Sequence, residues 1–244
     1  MIIYITRHGQ PWLSSMENNP EYPAGDPILT ELGQTQARLL GERLRRIGFA
    51  GRIFASPYLR TMETGAIIAT ATGRPLYPEP AIREIAAWPD NLAVFQGQTV
   101  EELRERFPVV PADAALPYPW WGSELEDAAA VLGRIGPFID ALIARGGEDA
   151  LLVGHGASVS ALHRYLLANH PEVLARVGNN WNCGLSALRV HPRLEALWLS
   201  DTSHLPAELT TSNAKTLAEW QRERAVGVSA PANPPPHKAW DWTA

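Results

Sequence analysis

Two histidines far apart in the chain stand in the same setting. Ile2-Ile3-Tyr4-Ile5-Thr6-Arg7-His8-Gly9-Gln10 and Leu151-Leu152-Val153-Gly154-His155-Gly156 each run as an apolar strand that stops at a His-Gly pair. An imidazole attacks phosphorus through one neutral ring nitrogen when an acceptor holds the other. Arg7, directly before His8, carries a guanidinium fork that matches two oxygens of a transferring phosphoryl group. Arg60 follows Ser56-Pro57 and offers a second fork near the positive end of a helix, where anions are favoured. His155 is preceded by Gly154 rather than arginine, which suits hydrogen bonding to phosphoryl oxygens, as imidazolium or as a neutral donor. Ester cleavage also needs a proton for the leaving oxygen and then a base for water, and one carboxyl can serve both steps. Glu84, in Ala81-Ile82-Arg83-Glu84-Ile85, is the first choice for that carboxyl; Glu79 and Glu63 are the others, and an ion pair with Arg83 is its plainer fate. The guest expected in such a pocket is an anion, above all a phosphate.

These side chains have to be delivered to one place. Short buried β-branched runs that end at glycine read as parallel strands reaching the carboxyl edge of an α/β sheet, where ligands bind. A polar loop from Gln10 to Ile28 leads to a helix that Thr30 can cap and that runs through Arg46, with Leu32, Ala37, Leu40, Leu44 and Ile47 on its apolar face. Arg52 to Ala55 reads as a second strand, and Ser56-Pro57 as cap and first-turn proline of the next helix. Leu76 to Pro78 is strand-like. Ala86 to Gly122 is interrupted by Pro89, Pro108, Pro111, Pro117 and Pro119, holds a short helix from Thr99 to Arg106, and reads as an insertion over the sheet edge. A helix from about Ser123 to Ala144, a strand at Ala150 to Val153 and a helix from Ser158 to Ala168 restore an alternation that implies right-handed parallel crossovers. Gly184 to Val190 and Leu194 to Leu199, joined at His191-Pro192-Arg193, read as an antiparallel edge pair.

The expected architecture is therefore an α/β three-layer sandwich: a mostly parallel central sheet with one antiparallel edge strand, flanked by helices, with a lid-like insertion. Residues 1–228 are expected to form one domain with 86–122 as its lid, and 229–244 a Pro-rich C-terminal extension. His163, His170, His191 and His237 read as structural or surface residues, while His204 stays open between the two uses.

Composition narrows the classes of function. A formal net charge of −5 over 244 residues, with no basic block and lysine only at Lys215 and Lys238, argues against a nucleic-acid surface. A lone cysteine, Cys183, gives no intramolecular disulfide and no zinc-cysteine site, and fits a reducing compartment. The N-terminus passes straight into strand without the features of a signal peptide, and no apolar run approaches membrane-spanning length. The expectation is a cytoplasmic protein with a small phosphorylated substrate, no nucleic-acid or membrane partner, no metal and no cofactor, its oligomeric state open.

In this order the residues resemble the histidine phosphatase superfamily, in the branch that includes cofactor-dependent phosphoglycerate mutases and broad-specificity phosphatases. The resemblance covers about Ile2 to Leu205: Arg7-His8-Gly9-Gln10 matches the signature, Leu29-Thr30-Glu31-Leu32-Gly33 with Gln36-Ala37 the helix after it, Ser56-Pro57-Tyr58-Leu59-Arg60-Thr61 the second arginine motif, Val153-Gly154-His155-Gly156 the second histidine motif, and Asp201-Thr202-Ser203-His204-Leu205 a segment common in phosphatase members. The resemblance implies that His8 becomes a transient phosphohistidine, that Arg7, Arg60 and His155 hold the phosphoryl group, and that Glu84 is the acid and base. Gln10 and Gly156 join the expected substrate-binding set, and no metal is implied. Glycine rather than aspartate after His155 sets the chain apart from the acid phosphatase and phytase branch.

The chain also departs from the pattern. Pro11 stands where a small hydroxyl is usual, Ala86-Ala87-Trp88-Pro89 where a glycine and a Trp-Glu-Gly phrase are common, and Glu63 where many members have glutamine. Glu63 would add a carboxylate that disfavours a multiply charged substrate. Trp88, Phe95, Phe107, Tyr118, Trp120 and Trp121 in the insertion either pack on an apolar or planar leaving group or form the lid's own core. A pocket without lysine or further arginine suits a small polyanion poorly, so hydrolysis of a phosphomonoester is expected over phosphoglycerate or phosphosugar mutase chemistry. The reading of another class is a non-catalytic protein that binds a phosphorylated ligand.

Overall fold

Along β1 (Ile2–Arg7) Ile3, Tyr4 and Ile5 are all buried, and in β4 (Ala150–Gly154) all five residues are, although strand side chains alternate between faces. Both strands therefore lie in mid-sheet with helices on either side. The structure, a computed structural model, describes residues 1–13, 25–212 and 215–225. Beside these strands lie β2 (Arg52–Ala55), β3 (Leu76–Pro78), β5 (Leu185–Arg189) and β6 (Glu195–Asp201). Among the described residues they form a six-stranded sheet in the order β3-β2-β4-β1-β5-β6. The pairs β3/β2, β2/β4 and β4/β1 are parallel. The antiparallel strand expected at the edge is β5, which runs against β1 and β6 from one place inside the edge. A two-stranded pair, β7 (Thr211–Ser212) and β8 (Lys215–Thr216), stands apart.

Two layers of helices cover the sheet. On one face, α1 (Glu31–Arg46) and α2 (Leu59–Thr72) bury Leu40, Leu44, Leu59 and Met62 with Tyr4, Leu151 and Val153. The strand neighbours Ile3, Ile5, Ala150 and Leu152 point the other way, against Val131, Ile135, Val159 and Leu162. The last four lie on α5 (Ala128–Arg145) and α6 (Gly156–Leu166). Two helices sit in the stretch 86–122: α3 (Pro89–Val94), which has no counterpart in the sequence reading, and α4 (Val100–Arg106), the short helix expected there, whose Thr99 and Glu102 cap each other reciprocally. That stretch is anchored below the sheet edge as well, since Leu103, Phe107 and Val110 share the α1/α2 core.

Several boundaries differ from expectation for local reasons. α5 begins at Ala128 and not near Ser123, because Asp127 takes the Ala130 amide as N-cap. α6 begins at Gly156 and not at Ser158, whose hydroxyl instead accepts from the His155 amide. Ser56 is not the cap of α2: its N-cap is Tyr58, which makes no side-chain cap bond, and the Leu59 amide donates at 2.7 Å to Asp26 Oδ1 from a distant loop. Ile47 is 41% exposed, beyond the apolar face of α1. Much of the loop after Gln10 and the whole of 229–244, with His237 and Lys238, lie outside the described residues.

Candidate active site

The parallel register brings strand ends together. Arg7 lies opposite Gly154 and Ala55 opposite Val153, so His8, His155 and Ser56 leave the sheet side by side. The His8 amide donates to Gly154 O at 3.0 Å and the Ser56 amide to Val153 O at 3.1 Å, extending the ladder by one step at each. Glu84 reaches the same edge from β3 through a 3-10 turn at Pro80–Ile82.

His8 is 3% exposed, and its Nδ1 donates to Gly9 O at 2.7 Å. That bond sets the tautomer and puts the ring lone pair on Nε2. The turn behind it is tight. A Cβ on Gly9 would lie 2.4 Å from Gly33 O, and one on Gly33 2.1 Å from Gln10 O, so the start of α1 backs directly onto the His8 turn. Thr30 closes the junction: its hydroxyl caps Gly33 N at 3.0 Å and donates to Gln10 Oε1 at 2.9 Å. Pro11, one of the departures, forms an isolated bridge with Leu29.

His155 is fully buried, its ring edge-on to that of His8 with centroids 5.3 Å apart. Nε2 meets Ser56 Oγ at 2.8 Å, and Nδ1 faces Glu84 Oε2 at 3.8 Å. Burial first, then the charges of Arg60, His8, Arg7 and Arg134, hold its pKa well below the ordinary 6.5. Of the two forms left open by the sequence, the neutral one is therefore the resting state. Glu84 keeps 21% of its side chain exposed, with Oε1 accepting from the Ile85 amide at 3.0 Å. Its plainer fate is not realised, since Arg83 pairs with Glu126 at 2.7 Å.

Arg7 and Arg60 are 8% and 5% exposed. Arg7 donates to Asn180 O at 3.1 Å; burial lowers its pKa to about 10, with Glu84 opposing and Arg60 adding to the shift, so it remains a cation at neutral pH. Arg60, at the N-terminal turn of α2, sits 3.7 Å from Asp26 Oδ1 and over the Tyr58 ring at 5.1 Å. Burial pushes the Asp26 carboxyl up to about 7 against the pull of Arg60 and of the Leu59 amide. Gly156 opens α6, and its carbonyl accepts from Asn180 Nδ2 at 2.9 Å.

The other two carboxyl choices have different work. Glu79 caps the 3-10 turn through Ala81 N at 2.8 Å. Both oxygens of Glu63 are engaged, by Leu29 N and Gln34 Nε2 at 2.9 Å, so it fastens the start of α1. His163 is buried with Nδ1 on Val159 O, and His204 bridges Arg43 and Cys183 O, a structural use that settles its open assignment. Of the aromatic set, Phe107 belongs to the main core, and Trp120 packs on Tyr58 at 4.7 Å. Tyr58 in turn meets the His155 ring at 5.6 Å, while Tyr118 and Trp88 are 62% and 52% exposed.

Sequence reasoning missed several supporting residues. Asn182 donates to His8 O at 2.8 Å, Thr211 to Asn182 Oδ1 at 2.9 Å, Gln36 to Thr211 Oγ1 at 2.8 Å, and Gln10 N to Gln36 Oε1 at 2.8 Å. This buried chain braces both sides of the His8 turn. Gln36 left a signal, being a polar residue within the apolar stripe of α1. Asn182, Thr211 and Asp26 left none in the pattern.

A buried imidazole with one ring nitrogen held, flanked by two arginines, a neutral histidine and a carboxyl, is a site equipped for phosphoryl transfer through histidine. The model of the histidine phosphatase superfamily (branch 1) matches residues 3–199, and the chain belongs to that superfamily. It is similar to a probable phosphoglycerate mutase of Yersinia enterocolitica, at 28% identity over 211 residues that span 83% of this chain and 94% of the relative. In fold it is similar to the ecdysone phosphate phosphatase of Bombix mori, with a TM-score of 0.63 at 19% identity over 88% of this chain and 96% of that one. A mycobacterial glucosyl-3-phosphoglycerate phosphatase gives a TM-score of 0.55 at 21% identity over 82% and 99%.

Proposed function

We propose that the protein is a cytoplasmic, metal-independent phosphomonoester hydrolase working through a phosphohistidine on His8. The observation that carries this is the His8 Nδ1 bond to Gly9 O at 2.7 Å, which leaves Nε2 as the attacking atom at the edge where Arg7, Arg60, His155 and Glu84 converge. Nε2 attacks phosphorus; the P–N bond forms as the ester P–O bond breaks, and Glu84 gives its proton to the departing oxygen. Water then gives a proton back to Glu84 and attacks phosphorus, and the P–N bond breaks to release inorganic phosphate. Arg7 and Arg60 supply the fixed positive charge for the transferring oxygens. With Ser56 donating to Nε2, His155 carries its proton on Nδ1 and donates as a neutral group. Gln10 and Gly156 line the phosphate site, and residues 86–122 act as its lid within one domain of 1–228.

Hydrolysis is favoured over transfer to a second hydroxyl because Arg83 and Arg134, further cations beside Glu84, both pair with Glu126. The relatives named as probable phosphoglycerate mutases support a second reading, in which phosphate moves between hydroxyls. The test is phosphate release from p-nitrophenyl phosphate in the presence of a chelator, with His8→Ala as control and products of candidate phosphomonoesters analysed alongside. Chelator-resistant release that His8→Ala abolishes is the expected result. Exclusive transfer between hydroxyls would favour the mutase, and the absence of both activities would leave a phospholigand-binding protein.

A further inference from the structure

Glu84 stands on a segment without regular secondary structure, between the 3-10 turn and Ile85. A carboxyl that hands a proton to one atom and later takes one from water has to be held to a few tenths of an ångström, and an irregular loop does not do this unaided. The bonds around it show where the stiffness comes from. Arg134, on the second turn of α5, donates to Ala81 O through one terminal nitrogen and to Arg83 O through the other at 3.1 Å. Its Nε and one terminal nitrogen also reach the two oxygens of Glu126, at 2.7 and 3.3 Å.

Glu126 completes the clamp on the far side of Glu84. Its carboxylate accepts from Arg83 at 2.7 Å and from the Ala86 amide at 3.4 Å, and its own amide donates to Ala86 O at 2.9 Å. The carbonyls of Ala81 and Arg83 and both backbone groups of Ala86 are thus tied to Arg134 of α5 and to Glu126, two residues before that helix, with Glu84 between them. The side chains of Arg134 and Glu126 are 12% and 9% exposed, so these bonds are made largely out of water, where such pairs hold their geometry best.

We propose that Arg134, oriented by Glu126, is the positioning residue for Glu84, an inference that rests on Glu84 as the acid and base. Its planar fork is what spans two carbonyls and a carboxylate at once; a lysine ammonium at that place cannot bond all of them in one plane. The role is separate from phosphate binding, because the clamp acts on the backbone that carries the carboxyl.

The test compares Glu84→Gln, Arg134→Lys and Glu126→Gln on two substrates, p-nitrophenyl phosphate and glycerol 2-phosphate. The first has a weakly basic leaving group that departs with little help; the second has an alkoxide that needs the acid. Arg134→Lys is expected to lower kcat/KM, which reports the formation of the phosphohistidine before Glu84 serves as base for water, about 10- to 100-fold on the alkyl ester and far less on the aryl ester. Glu84→Gln should show the same bias more strongly, and Glu126→Gln more weakly. Equal losses on both esters in Arg134→Lys, beside a biased Glu84→Gln, overturn the inference and leave the reading of Glu84 standing. An unbiased Glu84→Gln overturns that reading and the inference with it. Thermal melting accompanies each variant; should Arg134→Lys melt below the assay temperature, Glu126→Gln, which keeps an acceptor oxygen for the guanidinium, carries the comparison.

Discussion

His8 and His155 end neighbouring parallel strands with the same His-Gly phrase, yet their rings are held in opposite ways. The His8 ring is fixed on its near nitrogen, Nδ1, by the carbonyl of the next residue. The His155 ring is fixed on its far nitrogen, Nε2, by a hydroxyl from β2's end, and it is surrounded by the charges of Arg60, Arg7 and His8. The same side chain at the same kind of strand end thus has Nδ1 held in one place and Nε2 held in the other. What differs is the partner and the field, and neither is encoded in the phrase itself.

Four changes would break or sharpen this contrast. Replacing the proposed nucleophile, His8→Asn, should lower turnover by about 10⁴-fold or more and abolish acid-labile phosphate on the protein, seen by rapid quench with labelled substrate. His155→Asn should cost less, about 10²- to 10³-fold in kcat, and should still let phosphate accumulate on the protein; equal losses from the two would erase the distinction. Ser56→Ala removes the hydroxyl that orients His155, a loss of about 1 kcal/mol or roughly fivefold in kcat/KM, with melting unchanged to within a few degrees.

The smallest effect is on stability against pH. His163 and His204 are pushed down from 6.5 to about 4, chiefly by burial, and Arg43 on the ring of His204 adds to the cost of a proton there. A base with a depressed folded pKa binds more protons when unfolded, so the stability it contributes is complete above 6.5 and is lost as pH falls toward 4. Melting curves between those limits should show the decline in the wild type and a shallower one in His204→Gln.

Much of this arrangement was legible in the chain. Strands closing on His-Gly, Thr30 before a 3.6-period stripe and the short helix from Thr99 to Arg106 each state a local rule that the fold obeys, because short-range patterning decides them. Glu84 and Arg60 could be named from spacing and family motif. The supports could not. Ser56 looks like a helix cap by every local criterion, and only the approach of β4 turns its hydroxyl to His155. Asp26 takes the first amide of α2 from ahead of α1, and Asn182 reaches back to His8 from far along the chain. Such contacts depend on which strands become neighbours, which residue types alone do not report.

The strand order has a consequence for synthesis. β1 leaves the ribosome ahead of the other strands of its sheet, yet its two partners, β4 and β5, begin at Ala150 and Leu185, and the brace on the His8 carbonyl waits for Asn182 and Thr211. A nascent chain therefore carries an apolar β1 without its sheet partners until β4 has been made, exposed to wrong pairing for as long. Long-range closure of this kind also folds slowly. The turn that bears His8 is made well before the strands and side chains that give it its shape.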